Sequence, residues 1–414
     1  MTYTEQEISY ETKDNKIKKI GAIIITLLVL LIPAAFMFNI IHDRKIYRND
    51  AINAVSSSWA KMQILMAPEM SFTKKDEQNK TITEYLTLNN YNADIKINTE
   101  IRQKGIFKIP VYTADVTLTG DFINNFGNLA GKDIKIYFNV SDSTGFIKEP
   151  SFKINKEQPI TVHETEYITQ INSKAENIPF EIKYTIRGIN EIYATPFGQN
   201  NNIKISGNWK DPSFEGSFLP SSREITNHGF SAEWTIPGIA ASSFKDNGTF
   251  IAKTSPKAGV SLIIPVDNYR MTERILKYAF LFLSLTFLSY FIFEITSKED
   301  RRIHPVQYAM LGGAMLIFYM LLLSLSEFIP FLSAYIISAI MIICLVTLYT
   351  YFIITKKESI GFAALIAAIM AILYSFLYIL LTLQDFALLI GSLGLFMVIS
   401  AIMYLTRNVN WYNK

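Results

Sequence analysis

An acid and several hydroxyls end a long apolar segment, and they form the most distinctive candidate for a buried polar site in this chain. The segment runs from Ile303 to Ile336, and the candidate set comprises Tyr319, Ser324, Ser326 and Glu327. Ser324 and Glu327 are three residues apart and can share one face of a helix. Because lipid cannot solvate a carboxylate, Glu327 indicates either a ligand or proton site, or an interfacial acid beside packing serines.

A second polar set lies where two apolar segments are joined by a short connection. It comprises Glu294, Arg301, Arg302, His304, Gln307 and Tyr308. Glu294 ends the first segment close in sequence to the basic residues, so it can pair with one of them and clamp the connection. We expect structural pairing here, since charges at a membrane interface need no buried role.

The polar part of the chain offers weaker candidates. Arg102, Arg223 and Glu224 lie in segments that look like loops and could bind a polar ligand, although a β-turn is the favoured explanation for Arg223 and Glu224. Trp209 and Trp234 could stack on a sugar, but tryptophans in alternating segments are more often core residues.

Several functional classes lack any signature in the sequence. We find no nucleophile motif, phosphate-binding glycine loop or paired-acid constellation, so we expect no catalytic residue and no cofactor. The four histidines lack metal-ligand spacing, so we expect no metal site. A net charge of +3 without a basic patch argues against nucleic acid as a partner. The single cysteine, Cys344, can form no internal disulfide.

Apolar runs long enough to span a membrane determine where these candidate residues lie relative to the bilayer. The first run, Ile20–Ile41, is about 22 residues long and has no Ala-x-Ala site after it, which favours an uncleaved anchor over a cleaved signal peptide. Five further spans are predicted near the other end of the chain, at Leu276–Ile295, Val306–Ser326, Phe331–Ile354, Ile360–Leu380 and Phe386–Leu405. The sequence therefore predicts six transmembrane helices.

Between the first and second spans the pattern changes to an alternation of apolar and polar residues. It is clearest from Ala93 to Phe122 and recurs in short segments bounded by Asn, Gly, Ser and Pro. We therefore predict a membrane α-helical bundle plus a large extracytoplasmic all-β domain, antiparallel and sandwich-like, inserted between helices 1 and 2.

Loop charges predict the orientation. Lys and Arg cluster in alternate connections between the predicted spans and near both termini. The opposite short connections contain the acids Glu327 and Asp385 and no Lys or Arg. By the positive-inside rule both termini are cytoplasmic and the β domain is outside. The predicted parts are a tail (1–19), an anchor (20–41), the β-rich domain (42–275), a five-helix bundle (276–406) and a second tail (407–414).

Several longer segments resemble the CreD family of bacterial inner membrane proteins. They are Tyr47–Trp59, Arg102–Phe122, Leu219–Trp234, Pro265–Phe287, His304–Tyr335 and Leu383–Tyr412, spread over nearly the whole chain. The chain departs from the family where a His-Gly pair is expected after Glu327, because Phe328, Ile329 and Pro330 stand there. A role that such a histidine performs is absent here.

The resemblance implies a multi-pass protein of the bacterial inner membrane that supports cell-envelope integrity and is tied to the envelope stress response. It implies no catalytic residues. We expect a non-enzymatic protein whose periplasmic domain binds an envelope component or partner while its helices contact the lipid bilayer. The alternatives are a transporter or flippase acting near Glu327, and an enzyme that modifies envelope sugars.

Overall fold

The structure is a computed structural model of the full chain. It describes residues 3–129, 131–155, 161–163, 166–170, 176–242, 256–262, 268–296, 303–353, 359–383 and 386–407. Two compact units divide the chain: Met1–Tyr47 together with Val266–Lys414, and Arg48–Pro265. We call them the helical unit and the β unit and describe each by itself. The bounds of the five predicted parts stay predictions.

Among the described residues, six of the eight helices contain the apolar runs of the sequence. They are α1 (Tyr3–Trp59), α2 (Gly238–Ser242), α3 (Asn268–Lys277), α4 (Ala279–Thr296), α5 (Pro305–Ser326), α6 (Phe331–Ile353), α7 (Ser359–Thr382) and α8 (Ala387–Thr406). Residues of α1 up to Tyr47 belong to the helical unit. The rest of α1 and all of α2 belong to the β unit. Pro305 begins α5, where a missing N–H costs nothing.

Four helical segments are long and apolar enough to cross a membrane: Lys19–Trp59, Pro305–Ser326, Phe331–Ile353 and Ile360–Thr382. A fifth is added if α3 and α4, bent by 46° where they meet, count as one span. These helices confirm several membrane-spanning segments among the described residues. The helix α8 covers the sixth predicted span, but a count of six stays a prediction.

Close packing inside the helical unit depends on a small residue at one position of α5. A Cβ atom on Gly312 would lie 2.2 Å from Cδ1 of Leu30 and 2.9 Å from Cζ of Phe287. Gly312 therefore lets α1 and α4 approach α5 closely, as small residues do between membrane helices. The adjacent Gly313 has open space instead, so only one glycine of this pair is required by packing.

The β unit contains sixteen strands among its described residues, grouped in three sheets. The strands are β1 (Gln63–Leu65), β2 (Glu69–Lys75), β3 (Thr81–Tyr85), β4 (Thr87–Lys104), β5 (Phe107–Ile123), β6 (Asp133–Tyr137), β7 (Ser151–Ile154), β8 (Thr161–His163), β9 (Glu166–Gln170), β10 (Asn177–Ile189), β11 (Glu191–Ala194), β12 (Asn200–Gly207), β13 (Ser213–Gly216), β14 (Ser222–Thr226), β15 (Gly229–Pro237) and β16 (Ala258–Ser261). The sheet orders are β1-β11-β16-β13, β14-β15-β12-β4-β5-β10-β7 and β3-β2-β6-β9-β8.

Most of the strand pairs are antiparallel, and two are parallel. β12 pairs in parallel with β4, and β1 pairs in parallel with β11. The prediction of a β-rich domain is confirmed, but the antiparallel expectation fails at these two pairs. Alternation of apolar and polar residues fixes which face of a strand is buried and not the direction of its neighbour, which explains the error. The sandwich arrangement stays a prediction.

A large apolar core holds the β unit together. The alternating residues of β10, from Ile178 to Ile186, are buried at every second position. Trp234 of β15 is fully buried, and its Nε1 donates to the carbonyl oxygen of Phe218 at 3.1 Å. Its ring meets Phe214 edge to face at 5.9 Å. Trp234 thus occupies the core position that the sequence favoured over sugar stacking.

Replacing Trp234 with Ala should lower the free energy of unfolding of the β unit by about 3–5 kcal/mol, because a large cavity replaces the indole. Trp234→Phe should cost less, since most of the apolar volume stays and one hydrogen bond is lost. Thermal unfolding of the detergent-solubilised chain, followed by circular dichroism in the β region, measures both. Trp209→Phe is the control, because Trp209 is partly exposed and its Nε1 donates only to nearby Asp211. Equal losses for Trp234→Phe and Trp209→Phe would contradict this account.

Candidate functional site

Glu327 follows the last residue of α5, and its carboxylate is held by residues from two other helices. Its side chain is only 7% exposed. Oε1 accepts a hydrogen bond from the Tyr269 hydroxyl at 2.9 Å and lies 3.6 Å from Nε of Arg44. Arg44 belongs to α1 and Tyr269 to α3, so the acid joins three helices of the helical unit. A shielded carboxylate with a cation and a hydroxyl beside it is a satisfied charge.

The other predicted members of this set do not gather around Glu327. Ser326 is buried, and its Oγ donates to the Leu323 carbonyl at 2.9 Å, while its own carbonyl accepts from the Asn268 amide. Ser324 is exposed. Tyr319 is buried two turns earlier in α5, with its ring against Phe318. Sequence reasoning found the acid and missed Arg44, Tyr269 and Asn268, which contact it or its neighbour from distant parts of the chain.

At the other end of the helical unit, Glu294 of α4 pairs with a residue that the sequence did not suggest. Its Oε1 accepts a hydrogen bond from Nζ of Lys19 on α1, and both side chains are largely shielded. The Tyr308 side chain of α5, also a predicted member of this set, is buried, and its hydroxyl has no hydrogen-bond partner among the described residues. Glu294 therefore links α1 and α4.

The remaining members of the second set have different roles. His304 caps α5: its Nδ1 accepts from the backbone N–H of Val306 at 3.3 Å, and its backbone N–H donates to Oε1 of Gln307 at 2.9 Å. These two bonds satisfy donors that the first turn leaves free. Arg301 and Arg302 lie outside the described residues.

In the β unit, Arg102 lies in a strand and contacts the end of α1. Its guanidinium carbon lies 3.9 Å from the centre of a Trp59 ring, and its Nε donates to Glu100 at 2.9 Å. Arg187 lies over the same tryptophan at 5.4 Å. The guanidinium of Arg102 is thus engaged within the β unit, which leaves it less free for a ligand than a loop arginine.

Arg223 and Glu224 lie in strand β14 and not in a loop, which corrects the sequence expectation. They pair in register with Ala232 and Ser231 of β15, at the edge of the seven-stranded sheet. The segment has no apolar alternation, so the pairing with β15 decides its structure. Two strands separate β14 from β4, which puts Arg223 and Arg102 on strands about 14 Å apart across the sheet. The three residues therefore form no common site.

A groove that no sequence motif indicated opens on the β unit. Its volume is about 780 Å³, and its walls combine apolar and polar side chains. Ser57 of α1, Lys61, Met66, Asn139 and Thr144 are among the residues that line it. The lining comes from two separated stretches of sequence, 56–66 and 139–144, each of which is unremarkable by itself. Such a mixed lining suits a ligand that offers both apolar surface and hydrogen-bonding groups.

Asp142 stiffens one wall of this groove. Partial burial alone would raise the pKa of its carboxyl group, but hydrogen bonds from the Thr144 hydroxyl and from the backbone N–H groups of Lys61 and Thr144 outweigh it. The pKa of Asp142 is therefore lowered, and the carboxylate is charged at neutral pH. Its oxygens are largely occupied by these donors, so Asp142 orders the wall.

Within the described ranges, no three His, Cys, Asp or Glu side chains gather in a way that could hold a metal ion. The described residues instead form charge pairs between helices and an open groove. These arrangements can hold helices together and bind a ligand.

Comparison with known proteins decides the family. The family described as "Inner membrane protein CreD" matches residues 15–412. The chain belongs to the CreD family. Inner membrane protein CreD from Escherichia coli (strain K12) is 28% identical over 418 residues, which cover 93% of this chain and 91% of that relative. The resemblance drawn from the sequence segments is therefore confirmed, and this CreD family member has several helices able to span the inner membrane.

Solved structures give only distant likenesses. An M1 zinc metallopeptidase from Deinococcus radiodurans aligns with 42% of this chain and 42% of its own at 11% identity, with a TM-score of 0.24. A protein from Legionella pneumophila aligns with 62% of this chain and 98% of its own at 9% identity, with a TM-score of 0.33. Scores this low support no statement about the fold or activity of the CreD family member.

The Glu294 pair gives a test of how α1 is held. Glu294→Gln should lower the free energy of unfolding of the helical unit by about 1–3 kcal/mol, because it leaves the shielded ammonium of Lys19 without its counter-charge. The double variant Lys19→Met with Glu294→Gln should recover part of that loss, since the unpaired cation is then removed. Thermal unfolding in detergent measures both variants.

Glu224→Gln is the matched control, because Glu224 is exposed on β14 and its charge has little effect on stability. A double variant no more stable than Glu294→Gln would show that the unpaired cation of Lys19 does not cause the loss.

Proposed function

We propose that this CreD family member is a non-enzymatic inner membrane protein that supports cell-envelope integrity and the envelope stress response. Its β domain, on the periplasmic side, binds an envelope component or partner, and its helices anchor that domain. Membership of a family of inner membrane proteins supports the location. The single observation that carries the binding role is the mixed groove of the β unit.

The proposal includes a six-span topology with both termini in the cytoplasm and the β domain, sandwich-like, between the first and second spans. Three groups of charges in the sequence support it: Lys298, Arg301 and Arg302; Lys356 and Lys357; Arg407 and Lys414. All three groups, together with the lysines before Ile20, fall on one side in this topology. The helix α8 provides the sixth apolar segment.

The groove favours a ligand with amide or hydroxyl groups and some apolar surface. Asn139 and Thr144 are exposed at its edge, and the side chain of Lys61 supplies a positive charge, while Met66 supplies apolar surface. Envelope glycans and glycopeptides combine these groups. This chemistry makes peptidoglycan fragments the first ligands to test and lipopolysaccharide the second.

Filling the groove should abolish binding. Ser57→Trp puts an indole at its edge, because Ser57 is exposed and its Oγ bonds only within α1, to Ala54 at 3.0 Å. We expect the Kd for the bound fragment, measured by calorimetry on the full chain in nanodiscs, to rise at least about tenfold. Thr83→Trp, on the exposed face of β3 and outside the groove lining, is the matched control.

Binding that is equally strong in both tryptophan variants would place the ligand elsewhere on the protein. If no envelope fragment bound the well-folded wild-type chain, the binding role itself would be wrong.

Transport through the helical unit is the second candidate, and the observation that favours it is the shielded acid Glu327. Against it, Tyr269 and Arg44 already satisfy this carboxylate. A cavity between α5 and α6, lined by Met310 and Tyr349 among others, has a volume of about 110 Å³ and an apolar lining. That volume holds only a few waters.

Glu327→Gln distinguishes the two candidates. The amide can still accept from Tyr269 but cannot carry a charge or a titratable proton. If the protein anchors a binding domain, cells that carry this variant at normal protein level should resist detergent as wild-type cells do. Loss of resistance at normal protein level, with Arg223→Gln unaffected as a control, would instead favour transport.

A further inference from the structure

One hairpin of the β unit extends beyond the strands that flank it. β4 and β5 stay paired from Thr87 and Ile123 as far as Lys104 and Phe107. Among the described strands, β12 follows β4 only to Ile97, and β10 follows β5 only to Val111. We call residues 98–110 the hairpin tip. Most of the tip therefore lies outside the sheet that holds the rest of the hairpin.

The tip is nevertheless ordered, because the last turns of α1 support one of its faces. Ile109 and Ala51 are buried in one apolar cluster, against which Phe107 and Trp59 pack. Trp59 also donates from Nε1 to the carbonyl oxygen of Tyr112 at 3.3 Å. At the turn itself Gly105 has a φ of 61°, which suits the first central residue of a two-residue type II′ turn. A fixed hairpin presents its side chains without a large ordering cost.

The end of the tip is cationic on both faces of the hairpin, because Lys104 pairs with Phe107 and Lys108 with Gln103. Lys104 and Lys108 are exposed, and neither forms an ion pair with any residue that the structure describes. Arg102 is half-exposed and shares its charge with Glu100. Ile101 is 55% exposed although it lies in a strand. Ile101 pairs with Pro110 and so lies on the face of Lys108, opposite that of Lys104. Unpaired lysines on both sides of an exposed turn are typical of a segment that contacts anionic lipid.

Chain length limits how far the base of the tip can lie from the apolar run. Ala51, which packs in the cluster under the tip, follows the end of the apolar run at Ile41 by ten residues. Ten residues span at most about 35 Å even when fully extended, so Ala51 lies within that distance of the end of the run. Anionic phospholipid is the polyanion available at that distance.

We propose that the hairpin tip binds the anionic headgroups of the membrane that the helices span. Lys104 and Lys108 contact lipid phosphates from the two faces of the hairpin, where its turn meets the headgroups. This contact is separate from the groove and does not depend on the proposed function.

The test uses the full chain with Cys344→Ala, labelled with a fluorophore through Ile106→Cys at the turn. The protein is placed in nanodiscs that contain brominated lipid as a quencher, with either phosphatidylcholine alone or an equal mixture with phosphatidylglycerol. We expect strong quenching in the anionic discs and little in the neutral ones. Lys104→Gln with Lys108→Gln should weaken docking about 25-fold, at about fivefold per lysine.

Two matched controls use the same β unit. A label through Asn125→Cys lies beyond the far end of β5, about 55 Å along that strand, and should not be quenched in either disc. Lys96→Gln with Lys204→Gln removes the same charge from exposed positions in the sheet and should leave quenching at residue 106 unchanged. Raising the salt concentration should release the tip without any substitution, because exposed charges are screened.

Absence of quenching at residue 106 in anionic discs would overturn the proposal. Quenching that is equal in neutral and anionic discs, or that survives the loss of both lysines, would overturn it as well, because the contact would then not recognise lipid charge.

Discussion

A charge inside an apolar helical unit must have a partner, and this requirement determines how α1 is placed against the other membrane helices. Lys19 pairs with Glu294 near one end of the unit, and Arg44 lies beside Glu327 near the other. The two cations are 25 residues apart, which is about 38 Å along a helix. Sliding α1 by one turn would separate both pairs at once. The pairs therefore specify the register of α1 more clearly than they add to stability.

The apolar contacts of α1 alone would specify that register poorly. Many of its large apolar side chains face outward, including Ile25, Val29 and Phe36, and its buried positions are few. Moving an apolar side chain from lipid to a contact with another helix changes its solvation free energy little. Such a helix is therefore held by close packing and by polar contacts. The contact of Leu30 with Gly312 supplies the close packing, and the charge pairs supply the polar contacts.

Sequence reasoning located the elements better than it located their partners. Apolar length marks a span, and alternation marks a strand, because each signal is local. The partner of Glu294 was sought among Arg301, Arg302 and His304, yet it lies 275 residues away on α1. Nothing local in the sequence encodes that pairing. The groove was missed for the same reason, since Ser57 and Thr144 meet only after folding. Arg223 and Glu224 were expected in a loop because an edge strand with both faces exposed lacks alternation.

The parallel pairing of β12 with β4 has a consequence for the order in which the β unit forms. Asn90 of β4 meets Asn200 of β12, 110 residues later. Closing so long a stretch of chain is slow compared with forming a hairpin. While the chain is being synthesised, β4 and β5 can pair early, but one long edge of β4 stays open until residues up to Gly207 have arrived. An open edge of that length invites pairing with other chains. The partly folded polypeptide therefore passes through a stage in which it needs protection, and its yield will depend on chaperones more than its final stability suggests.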